Sequence, residues 1–120
     1  MWNEHFGICI VEYMASGLIV VAHDSAGPKN DIIIPVYPRD ELKYALNNDS
    51  EKATGFLAAS IEEYVSALEF IFSHEKDLHY IRQNARDRAR NFSTEKFVTL
   101  FKEKVKSLFC FVCSNKPATV

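Results

Sequence analysis

The chain has 120 residues, of which 48% are hydrophobic, 25% charged and 12% aromatic, with a formal net charge of -2. A chain of this length can bury a core but is short for two domains, so we expect at most one domain. The small negative charge gives no electrostatic basis for binding nucleic acid or anionic lipid, and no apolar run reaches the roughly 18–20 residues that span a bilayer.

The first predicted element is a helix from about Gly7 to Gly17. Its apolar residues fall on two opposite faces, which predicts a buried helix. Glu12 lies within this pattern, and a carboxylate in such a setting needs a hydroxyl or cationic partner. Glu4 precedes the helix, close to the backbone N–H groups of the first turn. Two carboxylates and a helix N-terminus at one place predict a site for a polyhydroxylated, anionic ligand such as a nucleotide sugar.

A strand and a polar loop are predicted next. Residues 18–22 form a continuous apolar, mostly β-branched run, which is typical of a strand buried on both faces of a parallel sheet. Residues 23–31 follow at the carboxyl end of that strand, where open α/β sheets bind ligands. His23 and Ser25 are therefore predicted to face a ligand. Lys29 could meet phosphate, although a lone loop lysine is usually solvated.

The middle of the chain has weaker patterns. Residues 32–35 fit a helical turn or a strand equally well. Residues 36–52 contain Pro38 and mixed charge, and we interpret them as a surface insertion with a helical turn at 41–46. A short strand is predicted at residues 54–58.

Three helices are predicted after this strand. The first opens with a capping box formed by Ser60 and Glu63, and the second runs from about residue 75 to 91. The third begins at Ser93, with Phe92 and Phe97 as a hydrophobic staple. The residues predicted to face inward are Ile61, Tyr64, Val65, Leu68, Ile71 and Phe72, then Leu78, Ile81, Ala85 and Ala89, then Phe97, Leu100, Phe101, Val105 and Leu108.

The order of helix, strand, loop, strand and three helices predicts an α/β fold with a helical tail. An α/β domain normally leads into its first helix from a strand, whereas Met1 stands in the loop just before the helix. The chain is therefore interpreted as the back half of a larger domain.

Two further patterns are weaker as functional signals. Cys110 and Cys113 have the CxxC spacing of metal and redox sites, but no second pair accompanies them, so no such function is predicted. The odd total of three cysteines makes no disulfide framework and fits a reducing compartment. The second of the three helices carries a basic outer face, interpreted as solvated with phospholipid contact as the alternative. Its arginines are Arg82, Arg86, Arg88 and Arg90.

The beginning of the chain resembles the donor-site signature of retaining glycosyltransferase family 4, whose members have the GT-B fold. The hallmark of that family is two glutamates separated by seven residues, here Glu4 and Glu12. The motifs that carry the likeness are Glu4-His5-Phe6-Gly7, Ile10-Val11-Glu12, Ala15-Ser16-Gly17-Leu18-Ile19-Val20-Val21-Ala22 and Gly27-Pro28.

Within this family, the chain most resembles the α-1,2-mannosyltransferases of the dolichol pathway. The likeness covers about residues 1–109 and is strongest over residues 1–35. Its motifs are Trp2-Asn3-Glu4-His5-Phe6-Gly7, Ala22-His23-Asp24-Ser25, Gly27-Pro28-Lys29 with Asp31, and Thr54-Gly55-Phe56-Leu57-Ala58.

The resemblance implies the fold and the activity. Residues 1–109 would be part of the Rossmann-like C-terminal, donor-binding domain of a GT-B enzyme, ending in C-terminal helices, and residues 110–120 a tail. The activity implied is transfer of mannose from GDP-mannose in α-1,2 linkage to a dolichol-linked (diphosphodolichol) oligosaccharide in protein N-glycosylation. The acceptor would bind through an N-terminal domain that is not in this chain. The full-length enzyme would associate with the cytosolic face of the endoplasmic reticulum membrane, and the isolated fragment is expected to be inactive.

The resemblance also implies residue roles. Glu4 would be catalytic, orienting the donor sugar and stabilising charge as the glycosidic bond breaks. Phe6 and Gly7 would offer backbone N–H groups to the sugar or phosphate, and Glu12 would accept hydrogen bonds from the ribose hydroxyls of GDP. Reaction by front-face substitution needs no metal and no other cofactor. The remaining candidate donor-binding residues are His5, Ile8, His23, Ser25 and Gly27, of which His5 could equally be structural.

Two readings stay open beside this one. The chain could belong to another family 4 transferase, specific for α-1,3/1,6-mannosyl transfer or for a UDP-sugar. It could also be a non-catalytic truncated product that at most binds nucleotide. Two departures from the family pattern are Ala26-Gly27, where many relatives have two glycines, and the long segment at 36–52.

Overall fold

A computed structural model describes residues 3–36, 38–40, 43–44 and 48–114 of the chain. The chain divides into two compact units, Met1–Arg90 and Asn91–Val120. The first unit combines parallel strands with helices, so the predicted α/β class is confirmed. Its elements are α1 (Ile8–Ala15), β1 (Val21–His23), a π-helical turn (Pro28–Ile32), β2 (Pro35–Val36), β3 (Pro38–Asp40), β4 (Lys43–Tyr44), a 3-10 turn (Asn48–Lys52), β5 (Gly55–Ala58), α2 (Ile61–Ser73) and α3 (His79–Ala89).

The main sheet has three strands in the order β1-β5-β2, and β5 pairs in parallel with both neighbours. His23 at the end of β1 lies in register with Ala58. The predicted position of the first strand, residues 18–22, is wrong by three residues at its start. Gly17 has φ +78 and the N–H of Leu18 donates to the carbonyl of Tyr13 at 3.0 Å, so these residues complete the end of α1.

Helix α1 has one buried face, which contradicts the predicted helix that is buried all round. Ile10, Val11 and Met14 are buried and the helix packs against α3. Glu12 is exposed, as is Ile8 one turn before it, with 58% of its surface accessible. The expected burial of the Glu12 carboxylate is therefore wrong, because only one of the two apolar faces meets the rest of the unit.

The segment at 36–52 has a buried side chain at Tyr44, which is 7% exposed. Its hydroxyl donates to the carbonyl of Leu57 at 3.0 Å, and its ring meets that of Phe56 edge-on at 5.4 Å. Of the helical turn predicted at 41–46, residues 43–44 form strand β4, and the others lie outside the described residues. Residues 32–35, left open by the sequence, end the π-helical turn and begin β2.

The capping box at the start of α2 is confirmed: Ser60 accepts from the Glu63 N–H while the Glu63 side chain accepts from the Ser60 N–H. The predicted inward stripe is mostly wrong. Ala67 and Ile71 are the buried residues of this helix. The large apolar residues of the prediction that are exposed are Ile61, Val65, Leu68 and Phe72.

Helix α3 buries the face that the sequence predicts. Leu78 just before it and its residues Ile81, Ala85 and Ala89 are all buried. Arg86 and Arg90 are exposed, but two other arginines of this helix are half-buried and bind backbone carbonyls. Arg82 donates to Gly17 at 3.2 Å, and Arg88 donates to Ile32 and Asp31. The interpretation of all four arginines as a solvated face is therefore wrong for these two.

The second unit consists of the end of a short 3-10 turn (Arg90–Phe92) and helix α4 (Thr94–Ser114). Ser93 accepts from the Lys96 N–H at 3.2 Å, which confirms the predicted start. Phe97 stacks on Phe101 at 5.8 Å, yet both rings are mostly exposed, so the predicted inward face is wrong for them. Among the described helices, none combines the length and apolarity needed to cross a membrane.

Candidate functional site

Residues 3–7, which we call the lead-in, run up to the first turn of α1. Gly7 has φ +92, a conformation that favours glycine, and it occupies the N-cap position without a capping side chain. A Cβ at this position would lie 3.1 Å from Cδ1 of Ile10 and 3.5 Å from Cγ of Glu4. The positive φ and the close approach of Ile10 together favour glycine at this position.

Residues 23–27, which we call the strand-end loop, lie against the lead-in. The N–H of Gly27 donates to the carbonyl of Glu4 at 3.0 Å, and the N–H of Asn3 donates to Oγ of Ser25 at 3.1 Å. Oγ of Ser25 also lies 2.9 Å from Nδ1 of His23. The structure thus brings together four of the sequence-predicted residues, Glu4, His23, Ser25 and Gly27.

The approach of the two segments depends on the absence of a side chain at Gly27. A Cβ there would overlap the carbonyl oxygens of His5 and Phe6. The Gly27 N–H already donates to the carbonyl of Glu4. The role of this glycine is therefore to let the two backbone segments approach closely. His5 and Phe6 are both exposed beside this contact.

Two residues of the site have backbone conformations that the sequence analysis missed. Asn3 has φ +59 and Ala26 has φ +44, and they are the non-glycine residues with positive φ in the described part of the chain. Asparagine adopts this region more readily than most residues, so Asn3 carried a weak signal, whereas alanine carries none. Both lie where the lead-in meets the strand-end loop, and backbone strain of this kind is concentrated at functional sites.

The two motif glutamates have different surroundings. Glu4 is half-buried in the lead-in, whereas Glu12 stands on the exposed face of α1 together with Ile8. The backbone carbonyl of Glu12 accepts from the Ser16 hydroxyl at 2.9 Å and from the Ser16 N–H at 3.0 Å, so the helical hydrogen bond at this position is kept. The exposed carboxylate is accessible to a ligand that lies over the start of α1.

The charges of the strand-end loop are partly compensated inside the protein. Nζ of Lys29 lies 3.1 Å from Asp24, and both side chains are more than a third exposed. A surface pair of this kind contributes little, about 0–1 kcal/mol, so Lys29 can exchange partners at small cost. The ion pair with Asp24 therefore neither prevents Lys29 from contacting a ligand nor requires it to do so.

No group of three His, Cys, Asp or Glu side chains is arranged to hold a metal ion in the described residues. Cys9 is half-buried and Cys110 is exposed. The side chain of Cys113 lies outside the described part, so the CxxC pair stays untested.

Comparison with known proteins places the chain among glycosyltransferases. A family model described as glycosyl transferases group 1 matches residues 1–88. No solved structure matches the chain.

Curated relatives share the name GDP-Man:Man(3)GlcNAc(2)-PP-Dol alpha-1,2-mannosyltransferase. The Xenopus tropicalis protein is 43% identical over 110 residues, and the Homo sapiens protein is 42% identical over 111 residues; each alignment covers 91% of this chain and 20% of the relative. The Neurospora crassa protein is 38% identical over 117 residues, covering 98% of this chain and 18% of the relative.

The chain thus spans about a fifth of the length of these relatives. The family match, by contrast, covers most of the chain and includes the lead-in, α1 and the strand-end loop, where the two motif glutamates and the contacts of Gly27 lie. The chain belongs to the glycosyl transferases group 1 family.

Proposed function

We propose that the chain forms the part of a GT-B glycosyltransferase that binds the donor nucleotide sugar. In this proposal, it belongs to the Rossmann-like C-terminal domain of a retaining family 4 enzyme. The observation that carries the proposal is the hydrogen bond from Gly27 to Glu4, which joins the lead-in of α1 to the loop at the carboxyl end of β1. Open α/β sheets bind ligands at this place, and the family match includes both segments.

The proposed reaction is transfer of mannose from GDP-mannose, in α-1,2 linkage, to a diphosphodolichol-linked oligosaccharide in protein N-glycosylation. Support comes from the relatives, at 42–43% identity, whose name states this donor and acceptor. The relatives are five times longer than the matched part, so we propose that the acceptor binds elsewhere in such an enzyme. The same proposal includes an enzyme at the cytosolic face of the endoplasmic reticulum membrane.

The residues divide into two proposed roles. Glu4 lies beside the start of α1 and acts on the donor sugar, while the backbone N–H groups of Phe6 and Gly7 bind the sugar or the diphosphate. Glu12 accepts hydrogen bonds from the ribose hydroxyls, for which its exposed position on α1 leaves room. Ile8 shares that exposed face and packs beside the nucleotide.

We propose that the reaction needs no metal ion, because the diphosphate leaving group itself assists the acceptor hydroxyl. A titration of GDP into the protein with and without a chelator tests this proposal. Equal affinity supports it, whereas loss of GDP binding in the chelator would overturn it.

The proposal is tested by isothermal titration of the chain with GDP, GDP-mannose and UDP. Replacing Glu12 by Ala should weaken GDP by about 1–3 kcal/mol, the usual size of a lost charge-assisted hydrogen bond. Glu69→Ala is a matched control, because Glu69 is also exposed and its carbonyl also accepts from a serine hydroxyl one turn later, at 2.7 Å.

The outcomes separate the readings of the sequence. Weaker GDP binding in the Glu12→Ala variant alone supports the ribose role, and equal affinity in both variants contradicts it. Tighter binding of UDP than GDP would indicate a UDP-sugar enzyme instead. Absence of binding to all three nucleotides would overturn the donor-site proposal for this chain.

A further inference from the structure

The hydroxyl of Ser25 lies between the backbone of Asn3 and the ring of His23. It accepts the N–H of Asn3 at 3.1 Å and lies 2.9 Å from Nδ1 of His23. It therefore connects the lead-in to the only ring of the strand-end loop. The role of this hydroxyl in ligand binding rests on the proposed function.

Two backbone hydrogen bonds hold Ser25 in place. The N–H of Ser25 donates to the carbonyl of His23 at 2.8 Å, and the carbonyl of Ser25 accepts from the N–H of Lys29 at 3.4 Å. The intervening Asp24 donates its N–H to Ala58 at 3.0 Å, which continues the pairing of β1 with β5. The loop is thus a fixed extension of the sheet rather than a free segment.

The donor and acceptor roles between Ser25 and His23 depend on the tautomer of the His23 ring. A serine hydroxyl has one hydrogen to donate and can accept two. Oγ of Ser25 accepts from Asn3, and its own hydrogen is then available for donation to Nδ1 of His23. A neutral imidazole that accepts at Nδ1 carries its hydrogen on Nε2.

We propose that Ser25 is a positioning residue that holds His23 as the Nε2–H tautomer and directs that N–H to the bound donor. The half-buried ring of His23 then offers a neutral hydrogen-bond donor at the carboxyl end of β1. Its partner is an oxygen of the nucleotide sugar, either of a sugar hydroxyl or of the diphosphate. Ser25 acts through His23 and does not itself touch the ligand.

Nuclear magnetic resonance of the imidazole nitrogens tests the positioning directly. In the 15N-labelled protein at a pH where His23 is neutral, we expect Nε2 to be protonated and Nδ1 to be unprotonated. In Ser25→Ala, the two nitrogen shifts should move towards each other, because neither tautomer is held. Ser25→Thr keeps the hydroxyl and should restore the wild-type pattern, and Ser73→Ala removes an exposed serine hydroxyl on α2 as the control.

The result does not depend on folding defects or on the identity of the ligand. Amide spectra of each variant report the fold separately from the ring shifts. A wild-type His23 protonated on Nδ1, or ring shifts unchanged in a folded Ser25→Ala variant, would overturn the positioning role.

Titration of GDP-mannose separates this proposal from the proposed function. We expect Ser25→Ala and His23→Ala to weaken binding by similar factors, and the double variant to be no weaker than His23→Ala alone. Additive losses would mean that Ser25 does not act through His23. If the wild-type chain binds no nucleotide sugar while the ring shifts respond to Ser25, the proposed function fails and the positioning of His23 holds.

Discussion

The N–H of Gly27 donates to the carbonyl oxygen of Glu4 at 3.0 Å, although the two residues lie far apart in the chain. The contact is possible because a Cβ at Gly27, which would overlap the carbonyl oxygens of His5 and Phe6, is absent. The position of the first motif glutamate therefore depends on a glycine in another segment.

Replacing Gly27 by Ala should displace the lead-in from the strand-end loop. The methyl group meets backbone atoms that cannot rotate away, and overpacking of this kind costs about 1–3 kcal/mol. Urea denaturation should show a lower midpoint, and GDP affinity should fall at temperatures where the variant is folded.

Gly27→Ala is informative only if the loss arises from the contact with the lead-in. Amide shifts of residues 4–6 should therefore change more than those of α2, which lies outside this contact. A variant with unchanged lead-in shifts and unchanged stability would contradict the account of Gly27.

Replacing Ala26 by Gly should have the opposite sign. Ala26 has φ +44, which costs an L-residue roughly 1–2 kcal/mol, whereas glycine adopts it freely. Glycine has more conformational freedom in the unfolded chain, which offsets about 0.5–1 kcal/mol of the stability gained by relieving this strain. Thermal denaturation should therefore show a variant as stable as the wild type or slightly more stable; a clear destabilisation would argue against the left-handed conformation.

Tyr44→Phe should cost about 1–3 kcal/mol of unfolding free energy. The change removes the hydroxyl that donates to the Leu57 carbonyl but keeps the ring against Phe56, so the loss measures an unpaired carbonyl. Urea denaturation gives the difference. Tyr13→Phe, at a tyrosine that is 50% exposed, is the control and should change stability little.

The same tyrosine predicts a loss of stability in alkali. Burial raises the pKa of the Tyr44 phenol above its ordinary value of 10.0, and the nearby charges of Glu63 and Asp24 raise it further. Above pH 10 the unfolded chain releases this proton while the folded chain keeps it, so stability falls as the pH rises from there towards the folded pKa.

This alkaline loss is measured by following the urea midpoint from pH 8 to pH 11, a range set about the ordinary tyrosine pKa of about 10. Stability should decline less steeply in Tyr44→Phe than in the wild type. Parallel curves for the two proteins would show that Tyr44 does not carry the effect.

Asn84→Asp should destabilise the first unit more than Asn84→Ala does. The amide nitrogen of Asn84 donates to the carbonyls of Glu51 and Ala53 at 2.7 and 3.0 Å, and a carboxylate would place acceptors against both. We expect a loss of about 1–3 kcal/mol by chemical denaturation. Asn91→Asp, at an exposed position, should be nearly neutral, and equal effects at the two positions would contradict this reading.

Local signals in the sequence were sufficient where the responsible atoms are close along the chain. The capping box of Ser60 and Glu63 and the glycine that ends α1 need only neighbouring backbone groups, and both are confirmed. The inward face of α3 was also predictable, because its apolar residues form one stripe against a polar remainder.

Periodicity failed where a helix has apolar residues on more than one face. In α1 it could not tell that the face with Met14 is buried and the face with Glu12 is not. In α2 the core takes Ala67, while Tyr44 and Phe56 fill the space beside the half-buried Phe70. Contacts between distant segments decide these cases, and a helical pattern does not contain them.

The contacts of the candidate site were predictable only in part. The motif pointed to Glu4, His23, Ser25 and Gly27, which the structure brings together. It did not indicate that the backbone of Asn3 takes part, because a main-chain donor is independent of residue type.

Because Glu12 is exposed, its availability to a ligand is separate from any contribution to folding stability. A carboxylate buried in a helix interface would make its replacement a folding mutation, whereas this one stands on a face that the first unit does not use for packing. Substitutions at this position therefore remove no buried side chain from the first unit and should leave its free energy of unfolding nearly unchanged. A change in ligand affinity on replacing Glu12 can thus be measured without a confounding loss of stability.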